Sequence, residues 1–143
     1  PNARKLPGLW YTINPVQQDA LQELKKITGN DMPTVIIDAT GNLKAINNAL
    51  QYLAHGGRYV LVGLQKENFS FSHPEFHKRE TTLMSSRNAT RADFELVMNA
   101  MRNKLIQPAT YITHWVKFHE VKDNFDSWLN PATGVIKAIV SFD

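Results

Sequence analysis

Two apolar segments of the 143-residue sequence end in residues that could line a binding notch. The segment TVIIDATGN (34–42) carries Asp38 and Gly41 at its end, and RYVLVGL (58–64) carries Gly63. Such continuous apolar runs are typical of strands covered on both faces of a parallel sheet, and ligands bind beyond the carboxyl ends of these strands. A glycine there lets a flat ring or another backbone approach closely, because it has no Cβ. The structural alternative is that each glycine only makes a turn.

Asp38 stands where a dinucleotide-binding fold could use an acidic residue, but the glycine-rich turn that should precede it is missing. The seven glycines of the chain contain no G-x-G-x-x-G pattern. We therefore expect the Asp38 carboxylate to have a structural or capping role. A helix predicted to begin near Asn42 would direct its first amide groups toward the same notch.

A pair of histidines, His73 and His77, has the spacing of two ligands on one helical turn. Pro74 lies between them, no third ligand is evident, and zinc sites normally have three or four protein ligands. The chain also has no cysteine, which removes disulfides and thiolate ligands together. We expect surface histidines and no metal site within this chain.

Composition and charge narrow the class of protein. With 43% hydrophobic residues the chain can form a globular core. The formal charge is only +3, and the densest basic run, HKRE (77–80), ends in an acid, so no nucleic-acid surface is predicted. No apolar run reaches the length of about 18 residues that would suggest a membrane-spanning helix, and no signal-type amino terminus is present. We expect a cytoplasmic protein without nucleic-acid or membrane partners.

Hydrophobic spacing predicts an α/β fold whose first part forms a parallel sheet. Strands are predicted at 9–13, 34–39, 58–63, 68–72, 81–86, 109–118 and 134–142. Helical stripes are predicted at 20–27, 43–53, 94–105 and 121–129. The first helix is expected to begin at Asn14 and Pro15 and to end at Gly29, whereas Thr90 and Asp93 predict a capping box for the third. The strand–helix–strand order of the first apolar segments indicates parallel pairing through a right-handed crossover.

Several separated segments resemble one family in its own order and spacing. The first group resembles the second half of the nucleotide-binding domain of zinc-type medium-chain alcohol and polyol dehydrogenases: YTINP (11–15), VIIDATGN (35–42) and AINNALQYLAHGGRYVLVG (45–63). The second resembles the carboxyl-terminal part of its sugar-acid and polyol members: SSRNATRADFELVMNAM (85–101), YITHWVKFHEVKDNFD (111–126) and TGVIKAIVSF (133–142). The resemblance implies an incomplete Rossmann-type parallel sheet lacking its first two strands, with a helix–strand–helix–strand tail. It also implies two parts, 9–88 in the nucleotide-binding domain and 89–143 returning to the catalytic domain.

The resemblance further implies NAD(P)-dependent hydride transfer between an alcohol and a carbonyl, with a catalytic zinc holding the substrate oxygen. Thr40 and Gly41 match a segment that lines the adenosine and nicotinamide ribose region. Val62, Gly63 and Leu64 match a segment whose backbone receives the carboxamide end of the nicotinamide. No residue of this chain is expected to be catalytic.

Three more residues match cofactor-lining positions of the family. Ser86 and Arg87 match a nearby stretch, and Lys137 matches a basic position that faces the pyrophosphate. The family often has arginine at this last position, and a lysine keeps the charge but loses the bidentate fork. The domain with the zinc ligands and the glycine-rich turn have no counterpart in this sequence. The chain is therefore expected to be part of a longer dehydrogenase and inactive alone.

The missing strands leave a gap in the expected sheet. In the family's sheet, the two missing strands lie between strand 9–13 and the strand at 34–39. Strand 9–13 would therefore lie three strand spacings away, or about 14 Å, since neighbouring strands are about 4.8 Å apart. Strand 9–13 must then move inward, be joined by another chain, or be loosely ordered. In the family the edge strand, here 68–72, pairs with a second subunit, so we expect a homodimer, unless Lys66, Glu67 and His73 blunt that edge.

Two alternatives to the dehydrogenase remain open from the sequence. A methyltransferase-like α/β domain could also carry the GGRYVLVG strand (56–63), although it would not share the tail. A non-catalytic module that dimerises through its edge could keep only a vestigial notch.

Overall fold

The computed structural model describes residues 8–142, which contain five α-helices and five short β-strands. The helices are α1 (Ala20–Thr28), α2 (Leu43–Ala49), α3 (His73–Lys78), α4 (Arg91–Arg102) and α5 (Val121–Trp128). The strands are β1 (Val35–Asp38), β2 (Arg58–Leu61), β3 (Thr82–Ser85), β4 (Ile112–Lys117) and β5 (Lys137–Ser141). The order α4-β4-α5-β5 confirms the predicted helix–strand–helix–strand tail. Among the described residues, no helix is both long and apolar enough to cross a membrane.

The chain divides into two compact units, of which the first runs from Tyr11 to Asn88. Its strands form a parallel sheet in the order β1-β2-β3. Residues of the three strands lie side by side in regular register: Ile36 pairs with Tyr59, and Tyr59 pairs with Leu83. Parallel neighbours joined by helices in this way give the second half of a Rossmann-type sheet, which confirms the predicted fold class.

The core of the first unit lies on one face of this sheet. It is built from Ala49, Leu50, Leu53 and Tyr59, with Ile36, Leu61, Phe76 and Leu83 packed against it. Leu53 and Tyr59 are each 1% exposed, and the Tyr59 hydroxyl donates a hydrogen bond of 3.2 Å to the Ile46 carbonyl. The short helix α2 and the 3-10 turn after it (Leu50–Tyr52) thus cover one face of the sheet, and this part of the chain supplies most of the buried side chains of the core.

The opposite face of the sheet carries apolar side chains that the described residues leave uncovered. Ile37 is 64% exposed, Val35 48% and Met84 46%, and Ile37, Val60 and Met84 form one row across the three strands. We call Val35, Ile37, Val60 and Met84 the bare face. The sequence predicted strands covered on both faces. This is wrong for β1 within this chain, because the helices that connect β1 to β2 (43–49) and β2 to β3 (73–78) pack on the same core.

The predicted strand at 9–13 is also wrong, because these residues are irregular in the structure. A strand is stable only when its backbone groups bond to a neighbour, and the described part of the sheet ends at β1. Segment 9–13 has therefore not moved inward to fill the expected gap. Trp10 and Tyr11 remain exposed within it.

The predicted edge strand at 68–72 is irregular too. The Ser70 amide donates to the Asn47 side chain at 3.0 Å rather than to a strand, and the rings of Phe71 and Phe76 lie 5.0 Å apart. Local packing against α2 and α3 therefore holds this segment within a single chain. Whether it pairs with a second subunit stays a prediction.

Local capping rules explain where the helices begin. Helix α1 begins after Asp19, whose carboxylate accepts from the amides of Leu21 and Gln22, so the expected start at Asn14 is wrong. Asn14 instead closes the preceding turn by accepting from the Val16 amide. For α4 the capping box is present, and the bonds from Thr90 lower the pKa of Asp93.

The second unit contains residues 8–10 and the chain from Ala89 onward, and it is built on a parallel pair, β4 and β5. Exposure alternates along β4, as expected for a strand with one wet face. The rings of Phe118 and Phe142 stack at 5.0 Å beyond the ends of the two strands. A bulge near Ile112 and His114 interrupts the pairing.

The first prediction concerns Tyr59. Burial raises the pKa of its hydroxyl to about 12, and the nearby charge of Asp38 adds to this shift. An unfolded tyrosine ionises near pH 10, so the stability of the folded chain is unaffected by this group below pH 10 and falls between pH 10 and pH 12. By pH 11 the loss should reach about 1 kcal/mol, and Tyr59→Phe should abolish it. Urea unfolding at pH 8 and pH 11 measures the difference, with the exposed Tyr11→Phe as control. The assignment fails if Tyr59→Phe keeps the same alkaline loss as the unchanged chain.

A second prediction concerns the bare face. Exposed apolar rows of this kind bind the dye ANS, so Ile37→Ser should clearly lower ANS fluorescence while costing at most about 0.5 kcal/mol of stability, as expected at an exposed position. Val16→Ser, at an exposed residue outside the sheet, is the matched control. Equal dye binding by the Ile37→Ser and Val16→Ser variants would contradict an uncovered sheet face.

Candidate functional site

The carboxylate of Asp38, the last residue of β1, organises the loop that follows it. Asp38 is 6% exposed, and its Oδ1 accepts from the Thr40 hydroxyl at 2.6 Å and from the Thr40 amide at 3.3 Å. Its Oδ2 accepts from the Gly41 amide at 3.3 Å. The side chain is thus hydrogen-bonded within the chain itself, which agrees with the structural role expected from the sequence.

The backbone carbonyl of Asp38 holds the end of the neighbouring strand. It accepts from the amide of Val62 at 2.9 Å and from that of Gly63 at 2.8 Å. One residue therefore fixes both loops, because its side chain binds the loop after β1 and its carbonyl binds the loop after β2.

Gly41 and Gly63 bring the two loops into direct backbone contact. A Cβ added to Gly63 would lie 2.4 Å from the Gly41 nitrogen and 2.8 Å from Asp38 Oδ2. A Cβ added to Gly41 would lie 2.6 Å from the Leu64 carbonyl oxygen, and Gly41 also has a φ of +59°. The glycines are therefore needed for the close approach of two backbones, and the space of the missing Cβ atoms is filled by the protein and not left for a ligand.

An open cleft of about 510 Å³ lies beside this contact, between the carboxyl ends of β2 and β3. Its walls are mostly apolar and come from α2, the end of β2 and the long connection: Ile46, Leu61, Val62, Leu64 and Phe69. Its remaining lining is small or polar: Gly63, Gln65, Ser85, Ser86, Arg87 and Asn88. An apolar cleft with a few polar groups at its rim is the usual form of a small-molecule site.

Arg87 is the one charged residue among the described residues that line this cleft. Its side chain is exposed, and within the described residues it forms no salt bridge. The loop that carries it is fixed on one side by the Ser86 amide, which donates to the Leu61 carbonyl at 2.9 Å, and turns at Asn88, which has a φ of +59°. The guanidinium is therefore available to an anionic group in the cleft.

The structure brings together most of the residues that the sequence analysis singled out. Five of them line the cleft: Val62, Gly63, Leu64, Ser86 and Arg87. Thr40 and Gly41 adjoin it through Asp38 and Leu64 but do not line it. Lys137 is exposed at the start of β5 in the second unit. The roles of all eight residues in cofactor binding stay predictions.

Sequence reasoning missed six lining residues, namely Ile46, Leu61, Gln65, Phe69, Ser85 and Asn88. Ile46 was assigned to the helical core stripe, and it is indeed buried, but its edge also reaches the cleft. Phe69 lies in the connection whose path no local pattern fixes. Among these residues only Asn88 had a sequence signal for its position, because asparagine is favoured where the backbone adopts a left-handed turn.

Metal-binding side chains do not gather beside the cleft. Within residues 8–142, no group of three or more such side chains could hold an ion.

Residues 2–103 match the family model described as "Zinc-binding dehydrogenase". The chain belongs to the zinc-binding dehydrogenase family. This membership confirms the resemblance drawn from the sequence and decides against the methyltransferase-like alternative.

Among relatives of this zinc-binding dehydrogenase chain, L-galactonate-5-dehydrogenase of Escherichia coli strain K12 is 37% identical over 130 residues, covering 91% of this chain and 38% of the relative. D-xylulose reductase of Scheffersomyces stipitis is 28% identical over 146 residues, covering 96% of this chain and 40% of the relative. A solved short chain alcohol dehydrogenase of E. coli CFT073, complexed with NADH, superposes with a TM-score of 0.82 at 27% identity, covering 94% and 39%. The chain thus spans about two fifths of the length of these relatives.

The third prediction separates the backbone contact from the cost of a left-handed glycine. Gly56 has a φ of +67° and no atom within 4 Å of the position that a Cβ would take, whereas Gly41 combines a similar φ with the Leu64 carbonyl. Gly56→Ala should cost about 1–2 kcal/mol for its backbone conformation, and Gly41→Ala about 1–3 kcal/mol more for the overlap.

Gly63→Ala has no left-handed backbone to strain, so its cost should come from overlap alone, again about 1–3 kcal/mol. Urea unfolding of the three variants at neutral pH gives these differences. If Gly41→Ala and Gly56→Ala are equally stable, the two strand ends are not in contact.

Proposed function

We propose that this chain forms the carboxyl-terminal half of the NAD(P)-binding domain, and the segment after it, of a zinc-type alcohol or polyol dehydrogenase. The observation that carries the proposal is the cleft at the ends of β2 and β3. Five residues that the resemblance to this family assigns to cofactor-lining positions line this cleft: Val62, Gly63, Leu64, Ser86 and Arg87. Hydride transfer between an alcohol and a carbonyl is the reaction that the complete protein would perform.

The cleft suits the nicotinamide end of the cofactor in shape and polarity. Leu61, Val62 and Ile46 provide an apolar wall against which a flat ring can lie. Peptide groups of the Val62–Leu64 loop offer hydrogen bonds to a carboxamide, and the Arg87 guanidinium offers a charge to a phosphate or a ribose-linked anion. The cofactor, when bound, supplies the hydride chemistry, and the residues of this chain bind it, orient it and keep water from one of its faces.

The complete protein needs parts that this chain does not provide. Its described residues offer no zinc site of three or more ligands, so in this proposal the catalytic zinc is held by a domain outside the chain. We therefore expect the chain alone to be inactive. The substrate class that we propose is a polyol or sugar acid oxidised at a secondary hydroxyl, supported by the 37% identity to L-galactonate-5-dehydrogenase and the 28% identity to D-xylulose reductase.

The first half of the nucleotide-binding domain is the partner expected at the bare face. That half would add strands to the open edge of β1 and helices over Val35, Ile37 and Met84, which are exposed in this chain. We also propose a homodimer formed through 68–72 in a cytoplasmic enzyme, supported by the exposed Phe71 and by the absence of strand pairing for this segment within the described chain.

The fourth prediction tests the cofactor cleft on the chain as it stands. Titration of the isotopically labelled chain with NADH up to millimolar concentrations should shift the amide resonances of Val62, Gly63, Leu64 and Ser86. Arg87→Ala should weaken binding roughly tenfold, the loss expected for one charge-assisted hydrogen bond. Two-dimensional NMR gives both the location and the affinity.

Arg58→Ala is the matched control, because Arg58 is exposed at the opposite end of β2. It should leave NADH affinity unchanged. Shifts that spread evenly over the surface, or no shifts in the 62–64 loop, would overturn the proposed cofactor site. Firm dimerisation without any NADH binding would favour the non-catalytic module instead.

A further inference from the structure

Helix α3 brings two imidazole rings to one side of the connection between β2 and β3. His73 is its first residue and His77 lies one turn later, and the ring centroids are 6.0 Å apart with planes at 64°. Pro74, which seemed to separate the two histidines in the sequence, occupies the first turn of the helix. Proline is tolerated there, because the amide it lacks would have no helical partner. Pro74 therefore does not prevent His73 and His77 from lying on one side of α3.

The distance between the rings suits a single bound ion. A ring nitrogen lies about 2.1 Å from a bound zinc ion, so two imidazoles on one tetrahedral ion have their centroids roughly 5–6 Å apart. The rings of His73 and His77 need to close by less than about 1 Å, which small side-chain rotations can supply.

The surroundings of the two rings permit ligand access. They line an open cleft of about 550 Å³ together with Phe76, Lys78, Glu80 and Thr81. Water can therefore complete the coordination of an ion. The neighbouring Arg79 guanidinium is occupied, since it pairs with Glu75.

We propose that His73 and His77 bind one divalent transition-metal ion through two ring nitrogens, with water as the remaining ligands. Imidazole ligands favour Zn²⁺, Ni²⁺ and Cu²⁺ over Mg²⁺ and Ca²⁺, which prefer oxygen. The site lies in the β2–β3 connection, and we assign it no catalytic step.

Binding at this site would stabilise the folded chain. Helix α3 has only six residues, and its Phe76 packs against the core of the first unit. An ion held by two residues one turn apart binds the helical conformation more tightly than the unfolded chain, so it raises the free energy of unfolding. The ion would thus act as a cross-link across a short helix.

Calorimetric titration of the metal-free chain with ZnCl₂ and NiCl₂ tests this proposal. One ion should bind per chain, MgCl₂ should not bind, and His73→Gln and His77→Gln should each lower the Zn²⁺ affinity at least tenfold. His119→Gln, at one of the other three histidines of the five, is the matched control and should leave the affinity unchanged.

NMR of the unsubstituted chain provides a readout that does not depend on the folding of any variant, because the ring resonances of His73 and His77 should move together on addition of Zn²⁺. Either of two results would overturn the proposal. One is Zn²⁺ affinity of the His77→Gln variant equal to that of the unchanged chain, and the other is movement of the other histidine rings in place of this pair.

Discussion

The first unit depends on Asp38, where one buried residue joins the ends of two strands. Its carboxylate accepts three hydrogen bonds from Thr40 and Gly41, and its carbonyl accepts two more from the loop after β2. A hydrogen bond contributes about 0.5–1.5 kcal/mol net, and an acceptor lost here would leave amides unpaired. The backbone contact between Gly41 and Gly63, and the wall that this contact gives to the cleft, both follow from this arrangement.

The bare face gives the chain a second constraint of a different kind. A three-stranded parallel sheet with helices on one side only keeps Ile37 and Met84 in contact with water, although the sequence of β1 is that of a strand buried on both faces. Membership of the zinc-binding dehydrogenase family and a span of about two fifths of its relatives' length agree with a sheet that is completed elsewhere. The sequence of the strands thus reflects a larger sheet than these residues form.

Local signals predicted the fold well wherever a short pattern decides the structure. The continuous apolar runs predicted β1 and β2, and the Thr90–Asp93 capping box predicted the start of α4, because these patterns act over one strand or one turn. Segments 9–13 and 68–72 have equally strand-like composition, but a strand also needs a neighbour, which composition does not reveal. Likewise, the glycines could be placed near a notch by their positions after two strands. Arg87 was placed there only by the resemblance to the family, and Phe69 depends on the path of a long connection.

The exposed guanidinium of Arg87 divides the cleft into parts that respond differently to their surroundings. Its attraction for an anion acts through solvent and weakens as dissolved ions accumulate, with a screening length of about 8 Å at physiological ionic strength. The apolar wall formed by Ile46, Leu61 and Val62 responds in the opposite way, because strongly hydrated salts such as sulfate favour the burial of apolar surface. Ionic conditions therefore change the balance between holding the charged end of a ligand and holding its ring.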